Sequence, residues 1–172
     1  MHFDIKWFMC TCYLCQTQQT TQVLIPPTIA SPTSIFSCIF TNTMHMPISG
    51  GFKYIVQGCC SLTGWPEFHK LCKENAKSIG DWIFEDVLCR WGSLCKIITD
   101  NGTPFIKALE YLADKYKITH ICISGYNHHA NGLVERSHFD IRQALYKAAD
   151  GQEHNWSPVI YSVYWADRVT VQ

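Results

Sequence analysis

The sequence has few charged residues, no excess of either charge and no long hydrophobic run. Of its 172 residues 16% are charged and 47% are hydrophobic, so the chain has ample material for a core and is not compositionally disordered. Fourteen Lys and Arg balance fourteen Asp and Glu, and any anion-binding role therefore needs a local cationic patch. No apolar run approaches the ~18 residues of a spanning helix, and the first twenty residues lack the basic start and apolar stretch of a secretory signal. We expect a nuclear or cytoplasmic protein with no membrane partner.

Ten cysteines are scattered along the chain, and a disulfide scaffold is not expected for a chain of this size and core content. Residues 16–34 are rich in Thr, Gln, Pro and Ser, which is typical of a linker. We therefore predict a boundary at residue 34, with a short segment 1–34 and one domain over 35–172.

Residues 35–172 carry the pattern of a mixed α/β domain. Short β-prone runs predict strands at 35–41, 52–57, 67–71, 95–99 and 118–124. Apolar residues at helical spacing predict helices over 76–88, from 103, over 131–148 with Asn131-Gly132 as the cap, and from 157. Three strands joined by turns, followed by strands that alternate with helices, predict a sheet that begins antiparallel and continues with parallel crossovers.

Two carboxylates occupy positions that suit a binding site. Asp100 follows an apolar strand, at the sheet edge where open α/β sheets bind ligands. Glu135 lies in the first turn of a predicted helix, and His138 and Arg142 follow at i+3 and i+7, which predicts a solvated ionic stripe. Taken singly, Asp100 also suits a plain turn former, and Glu135 suits a favourable charge near a helix N-terminus.

The segments 97–105 (IITDNGTPF) and 125–138 (GYNHHANGLVERSH) together resemble the catalytic core of retroviral and retrotransposon integrases, in particular those of gypsy-type elements. The family's interval between its second Asp and its Glu is similar to the 34 residues that lie between Asp100 and Glu135. The resemblance covers roughly residues 35–170. It implies an RNase H-like fold, in which helices flank a mixed five-stranded sheet.

The resemblance implies a catalytic cluster of carboxylates that holds two divalent ions for in-line phosphoryl displacement. Oxygen ligands of this kind select Mg²⁺, or Mn²⁺ as a substitute. Asp100 and Glu135 match two of the family's three carboxylates, whereas Asn42, in the phrase FTNTMHMP at 40–47, stands where the family has an Asp at a strand end. An amide lacks the negative charge of a carboxylate, so we expect weakly held ions. Asn42 also suits a simple strand-end turn residue.

The resemblance further implies a nucleic-acid interface around the Glu135 helix. The candidate residues are Tyr126, Asn127, Asn131, Arg136, Arg142 and Lys147. Arg and Lys suit phosphates, and Tyr stacks on unpaired bases. The alternative is a solvated helix face. As partners, the family implies DNA, both element ends and target DNA, and further copies of the chain.

Cys12 and Cys15 resemble the tail of the integrase zinc-binding domain, in which two His precede a Cys-x-x-Cys pair. A tetrahedral zinc site needs four ligands, and His2 is the single His upstream of Cys12. We therefore expect segment 1–34 to be a truncated remnant with an incomplete zinc site, and two free thiols are the favoured interpretation.

Two hypotheses about function remain open at this point. The first is an active polynucleotidyl transferase that processes the 3′ ends of an element and joins them to target DNA. The second is a catalytically inactive remnant with the same fold, which binds only nucleic acid or a partner subunit. Asn42 distinguishes the two, because a weakened metal site favours the second.

Overall fold

The computed structural model describes residues 2–12, 34–100, 102–123 and 128–170, without the side chains of residues 2, 6, 9, 10 and 128–137. The chain divides into two compact units, Met1–Ala30 and Ser31–Gln172. In the first unit, helix α1 spans His2–Thr11, and the sequence patterns did not predict it. The assignment of residues 1–34 to a zinc-binding remnant stays a prediction.

The second unit is built on a mixed five-stranded sheet. Its strands are β1 (Cys38–Ser49), β2 (Phe52–Cys60), β3 (Pro66–Leu71), β4 (Lys96–Thr99) and β5 (Thr119–Cys122). The spatial order is β3-β2-β1-β4-β5, with β1, β2 and β3 antiparallel and with β4 and β5 parallel to β1. The turn between β1 and β2 is made by Gly50 and Gly51, whose positive φ angles of 57° and 88° favour glycine. The predicted antiparallel start and parallel continuation are confirmed.

Four helical segments complete the described part of this unit. Helix α2 runs as an α-helix over Ala76–Trp82, a π-helical segment over Ile83–Leu88 and a last α-helical turn over Cys89–Trp91. Helix α3 spans Thr103–Tyr116, α4 spans His128–Ala148, and α5 spans Trp156–Val169 after a 3₁₀ turn over Glu153–Asn155. No described helix combines the length and apolarity that a membrane crossing requires.

The sheet is covered on both faces, because its strands send alternate side chains to opposite sides. Ile39, Val56 and Ile97 pack on one face against α2 and α3. Met44 and Ile55 pack on the other face against α4 and α5. This is the predicted α/β architecture, an RNase H-like mixed five-stranded sheet flanked by helices.

A buried carboxylate connects the edge strand β3 to two helices. The side chain of Glu67 on β3 is 4% exposed and accepts hydrogen bonds from Arg90 of α2 (3.1 Å) and Arg168 of α5 (2.9 Å). The indole nitrogens of Trp65 and Trp91 donate to its Oε1 at 3.3 and 3.1 Å. Four donors offset the cost of removing this charge from water, so we infer that Glu67 holds α5 on the sheet.

Two predicted boundaries were wrong in ways that affect the site. Strand β1 starts at Cys38 and continues to Ser49, well past the predicted end at residue 41, because β2 pairs with it from Ile39 to His45 and, after an irregularity in the register, again at Ser49. Asn42 therefore lies inside β1 and not at a strand end. Helix α4 begins at His128, so Asn131 and Gly132 lie within it and do not cap it. A single internal Gly costs only about 1 kcal/mol, which the rest of a long helix offsets.

Candidate metal and nucleic-acid site

The register of the parallel strands places Asn42 beside Asp100. Thr41 pairs with Thr99 in the last parallel pair between β1 and β4. Asn42 is the next residue of β1, and Asp100 is the first residue after β4. Both positions fall on the face that α4 covers, since Met44, two residues beyond Asn42, packs in the cluster on that face. Two of the three predicted metal-binding residues, Asn42 and Asp100, are thus neighbours where the parallel pairing of β1 and β4 ends.

Asp100 is fixed by the turn that follows β4. Its Oδ1 accepts the backbone N–H of Gly102 at 3.2 Å, and the Thr99 hydroxyl donates to its carbonyl oxygen at 2.7 Å. A Cβ at position 102 would lie 3.0 Å from the same Oδ1, so the glycine leaves room for the carboxylate. Within the described part of the chain no donor reaches Oδ2, which makes this oxygen available to a ligand.

Asn42 lies in a short polar row on the sheet. Its Oδ1 accepts the N–H of Thr43 at 2.7 Å, and its partner across the β1–β2 ladder is the fully buried Gln57. The hydroxyl of Tyr164 on α5 donates to Gln57 Oε1 at 2.7 Å, and burial raises the pKa of this tyrosine well above its usual value. The row thus runs from Gln57 on β2 through Asn42 on β1 to Asp100, the first residue after β4.

Helix α4 packs over this face of the sheet. Ile141 and Leu145 pack on the cluster that contains Met44, and the side chain of Glu135 lies outside the described residues. Six residues separate Glu135 from Ile141, about 9 Å along the helix axis. Whether its carboxylate meets Asp100 and Asn42 stays a prediction.

The predicted ionic stripe on α4 is only partly correct. Arg142 is exposed, and its Nη2 donates to the carbonyl oxygen of His45 on β1 at 2.6 Å. His138 instead turns inward, because it lies at i−3 from the buried Ile141, and its Nε2 is buried with no hydrogen-bond partner among the described residues. Burial, together with the charge of Arg142, lowers the pKa of His138 to about 4. Sequence reasoning had placed this imidazole in solvent.

The oxygen donors of Asp100 and Asn42 are of the kind that suits a hard divalent ion. His138 lies three residues after Glu135, and its buried Nε2 has no hydrogen-bond partner among the described residues. Among the side chains that the structure describes, no group of three or more His, Cys, Asp or Glu is placed to hold a metal ion. The predicted metal ligands include Glu135, whose side chain is not described, so the structure describes the side chains of the other two, Asn42 and Asp100.

The structure describes the side chains of only some of the predicted nucleic-acid-binding residues. Arg142 and Lys147 are exposed on α4 and line one cavity beside the end of β1. Asn131 and Arg136 lie in α4 with side chains outside the described set, and Tyr126 and Asn127 lie outside it altogether. Of the predicted zinc ligands, Cys12 follows α1, whereas Cys15 is outside the described residues.

Comparisons with known proteins give a consistent result. No protein-family model matches the chain. The retrovirus-related Pol polyprotein from transposon 412 of Drosophila melanogaster is 29% identical over 144 residues, which are 81% of this chain and 12% of the polyprotein. The Gag-Pol polyprotein of Walleye dermal sarcoma virus is 28% identical over 113 residues, or 62% of this chain and 6% of the polyprotein. The chain thus spans only a small part of these relatives.

Solved structures share the fold. A chain of the simian T-cell lymphotropic virus intasome, in complex with PP2A regulatory subunit B56 gamma, matches with a TM-score of 0.77 and 15% identity, over 100% of this chain and 63% of that chain. The catalytic core domain of BIV integrase matches with a TM-score of 0.63 and 20% identity, over 80% of this chain and 86% of that chain. The chain is therefore a relative of retroviral and retrotransposon Pol polyproteins and has the fold of the integrase catalytic core.

Proposed function

We propose that this chain is the catalytic core of a gypsy-type retrotransposon integrase, acting in the nucleus or cytoplasm on element ends and target DNA. The observation that carries the proposal is the Thr41–Thr99 pair, which sets Asn42 beside Asp100 on the face that α4 covers. The relationship to Pol polyproteins supports it. Because one structural neighbour is part of an intasome, we also propose DNA and further copies of this chain as partners.

Asp100, Asn42 and Glu135 would hold Mg²⁺ or Mn²⁺, since oxygen donors suit these ions. When bound, such ions would activate the attacking oxygen and stabilise the leaving oxygen of an in-line phosphoryl displacement. The protein's own contribution is positioning. The Gly102 N–H holds the Asp100 carboxylate at the sheet edge, and Arg142 and Lys147 offer cations to DNA phosphates along α4.

Asn42 favours a second candidate function, that of an inactive core that binds nucleic acid or a partner subunit. An amide in place of a carboxylate removes one negative charge from a site that must hold two dications. We expect the loss to reach several kcal/mol of transition-state stabilisation, or about three decades in rate. DNA binding through Arg142 and Lys147 does not depend on this charge. Under this second candidate function the chain binds DNA and is catalytically weak.

The test compares the unmodified chain with Asn42→Asp and with the double variant Asn42→Asp/Asp100→Asn. Calorimetric titration with Mn²⁺ measures ion binding, and a nicking and strand-transfer assay on labelled duplex DNA measures activity. We expect Asn42→Asp to bind Mn²⁺ more tightly and to gain about three decades in rate, and we expect the double variant to lose both gains. Equal Mn²⁺ affinity and equal activity of the unmodified chain and Asn42→Asp would refute the assignment of Asn42 to the site.

A further inference from the structure

Strand β3 forms one edge of the five-stranded sheet, and half of its backbone groups face away from β2. The Cys60 N–H donates to the Trp65 carbonyl oxygen at 3.0 Å, which makes these two opposed residues a hydrogen-bonded pair. Such pairs alternate along an antiparallel ladder, so every second residue of β3 bonds to β2. The residues between them, Phe68 and Lys70, direct their N–H and C=O groups outward.

The outward backbone groups in the middle of β3 are available to a partner. At the start of the strand, Pro66 has no N–H, and its carbonyl oxygen accepts from Arg168 Nη2 at 2.7 Å. Among the residues that the structure describes, the outward groups of Phe68 and Lys70 have no hydrogen-bond partner. The Lys70 side chain turns to α5, where its Nζ lies 3.4 Å from Ser157 Oγ. An edge strand with free donors and acceptors can pair with an added strand.

A cavity of about 410 Å³ lies between the end of β3 and α2, and its lining is rich in carboxylates. The carboxylates on its α2 wall are Asp81, Glu85 and Asp86. His69 Nδ1 lies 2.9 Å from Asp86 Oδ2, whereas Asp81 and Glu85 have no ion-pair partner within the described part of the chain. Of the two lysines in the lining, Lys70 is engaged with α5, which leaves Lys73. This charge balance favours a cationic ligand.

Trp82 lines the same cavity and indicates that the ligand also carries a hydrogen-bond acceptor. The residue is 2% exposed, and its indole Nε1 is buried with no hydrogen-bond partner among the described residues. A buried donor without an acceptor has lost its hydration, and a ligand carbonyl would restore the bond. The π-helical segment Ile83–Leu88 follows directly, and such segments are frequent at functional sites. A basic peptide supplies both the carbonyl oxygen and the cation.

We propose that the outer edge of β3 binds an extended segment of a basic partner protein, with Lys or Arg at alternate positions. The segment adds a strand beside β3 through the backbone groups of Phe68 and Lys70. Its residues opposite His69 and Leu71 point to the face that α2 covers, because side chains alternate across a strand. Two cations spaced two residues apart therefore reach the α2 carboxylates. This interaction uses none of the residues proposed above for metal or DNA.

The experiment measures the fluorescence anisotropy of a labelled peptide in which Lys alternates with Val and Thr. A second peptide has Pro in place of Val and Thr, which keeps the charge and removes the N–H groups that a strand needs. The double variant Glu85→Gln/Asp86→Asn removes two cavity carboxylates. Its matched control, Glu110→Gln/Asp114→Asn, removes two exposed carboxylates of α3 that do not line the cavity.

A second pair of variants isolates the backbone contribution of β3. Lys70→Pro removes the outward N–H at this position, which an edge strand tolerates because that group does not bond to β2. Lys70→Ala removes the same side chain and keeps the N–H. Hydrogen exchange of the Phe68 and Lys70 amides, with and without peptide, reports strand addition directly and decides the point if Lys70→Pro does not fold.

We expect the alternating peptide to bind more tightly than the proline peptide and to slow exchange of both amides. Loss of the two cavity carboxylates should weaken binding by about 2- to 30-fold, whereas the α3 control should match the unmodified chain. Lys70→Pro should bind about 2- to 10-fold more weakly than Lys70→Ala. Equal binding of the two peptides, or unchanged amide exchange, overturns strand addition. Equal binding by the cavity variant and its control overturns the assignment of the carboxylates. Absence of binding, or a self-association that excludes the peptide, overturns the proposal as a whole.

Discussion

The buried imidazole of His138 makes the stability of this domain depend on pH in a defined window. Its pKa falls from 6.5 to about 4 because burial and the charge of Arg142 disfavour the protonated form. In the unfolded chain the group takes up a proton near pH 6.5, whereas in the folded chain it stays neutral until about pH 4. The unfolded state therefore binds more protons in this interval, and the free energy of unfolding decreases as the pH is lowered.

The size of this effect follows from the shift. Each pKa unit is worth about 1.4 kcal/mol, so His138 contributes about 3 kcal/mol above pH 6.5 that is lost by about pH 4. Urea unfolding across this interval measures it, with His138→Gln as the variant that cannot titrate. Since carboxylates also titrate near pH 4, the informative quantity is the difference between the two curves. We expect the unmodified chain to lose about 3 kcal/mol more than the variant.

A matched control is His154→Gln, because His154 is exposed in the 3₁₀ turn before α5. Its curve should follow that of the unmodified chain. If His138→Gln also runs parallel to the unmodified chain over the whole interval, then His138 is not buried as a neutral group, and the reasoning about its position on α4 is wrong.

Two further predictions concern the packing of the sheet. Glu67→Gln leaves the Arg168 guanidinium without its charged partner, and we expect the free energy of unfolding, measured with denaturant, to fall by about 3 kcal/mol. The control is Asp114→Asn, which breaks a solvent-exposed ion pair and should lower the free energy of unfolding by less than about 1 kcal/mol. Gly58→Ala places a Cβ 2.9 Å from Trp82 Cη2, so it should destabilise the domain by about 1–3 kcal/mol and change the near-UV tryptophan spectrum; an unperturbed spectrum with full stability would contradict this packing.

The order of elements was predictable because apolar spacing and glycine turns are local properties of the chain. The helix that starts at Thr103 follows from Pro104 in its first turn, and the β1–β2 turn follows from Gly50 and Gly51. The end of β1 was missed. Met44, Met46 and Ile48 alternate with His45 and Pro47, as in a half-buried strand, but a proline cannot donate a ladder hydrogen bond and argues against a strand. The structure keeps these residues in β1, which pairs with β2 up to His45 and again at Ser49.

The sequence predicted the site residues that belong to a recognisable motif. It did not predict the residues whose position depends on how the helices pack on the sheet. Asp100 follows a strand and precedes a glycine turn, both visible in the sequence. His138 was placed in solvent because it is polar, although it lies at i−3 from the apolar Ile141 and hence on the sheet-facing side of α4. That spacing was the feature of the sequence that could have predicted a buried His138. No local pattern could have predicted the role of Gln57, because its hydrogen bond with Tyr164 joins residues 107 positions apart.

The hydrogen bonding of Asn42 suggests why an amide is tolerated at this position. Its Oδ1 is satisfied by the neighbouring Thr43 N–H, and it lies between the neutral Gln57 and the carboxylate of Asp100. An Asp here would face Asp100 with a like charge, and such a pair is costly in the folded state unless a cation lies between the two groups. The amide of Asn42 removes that repulsion. An Asn at this position therefore weakens the proposed metal site and at the same time stabilises the folded chain when no ion is bound. At position 42, Asn thus favours the stability of the domain and Asp favours affinity for divalent ions. Such a conflict between stability and activity is common at functional sites.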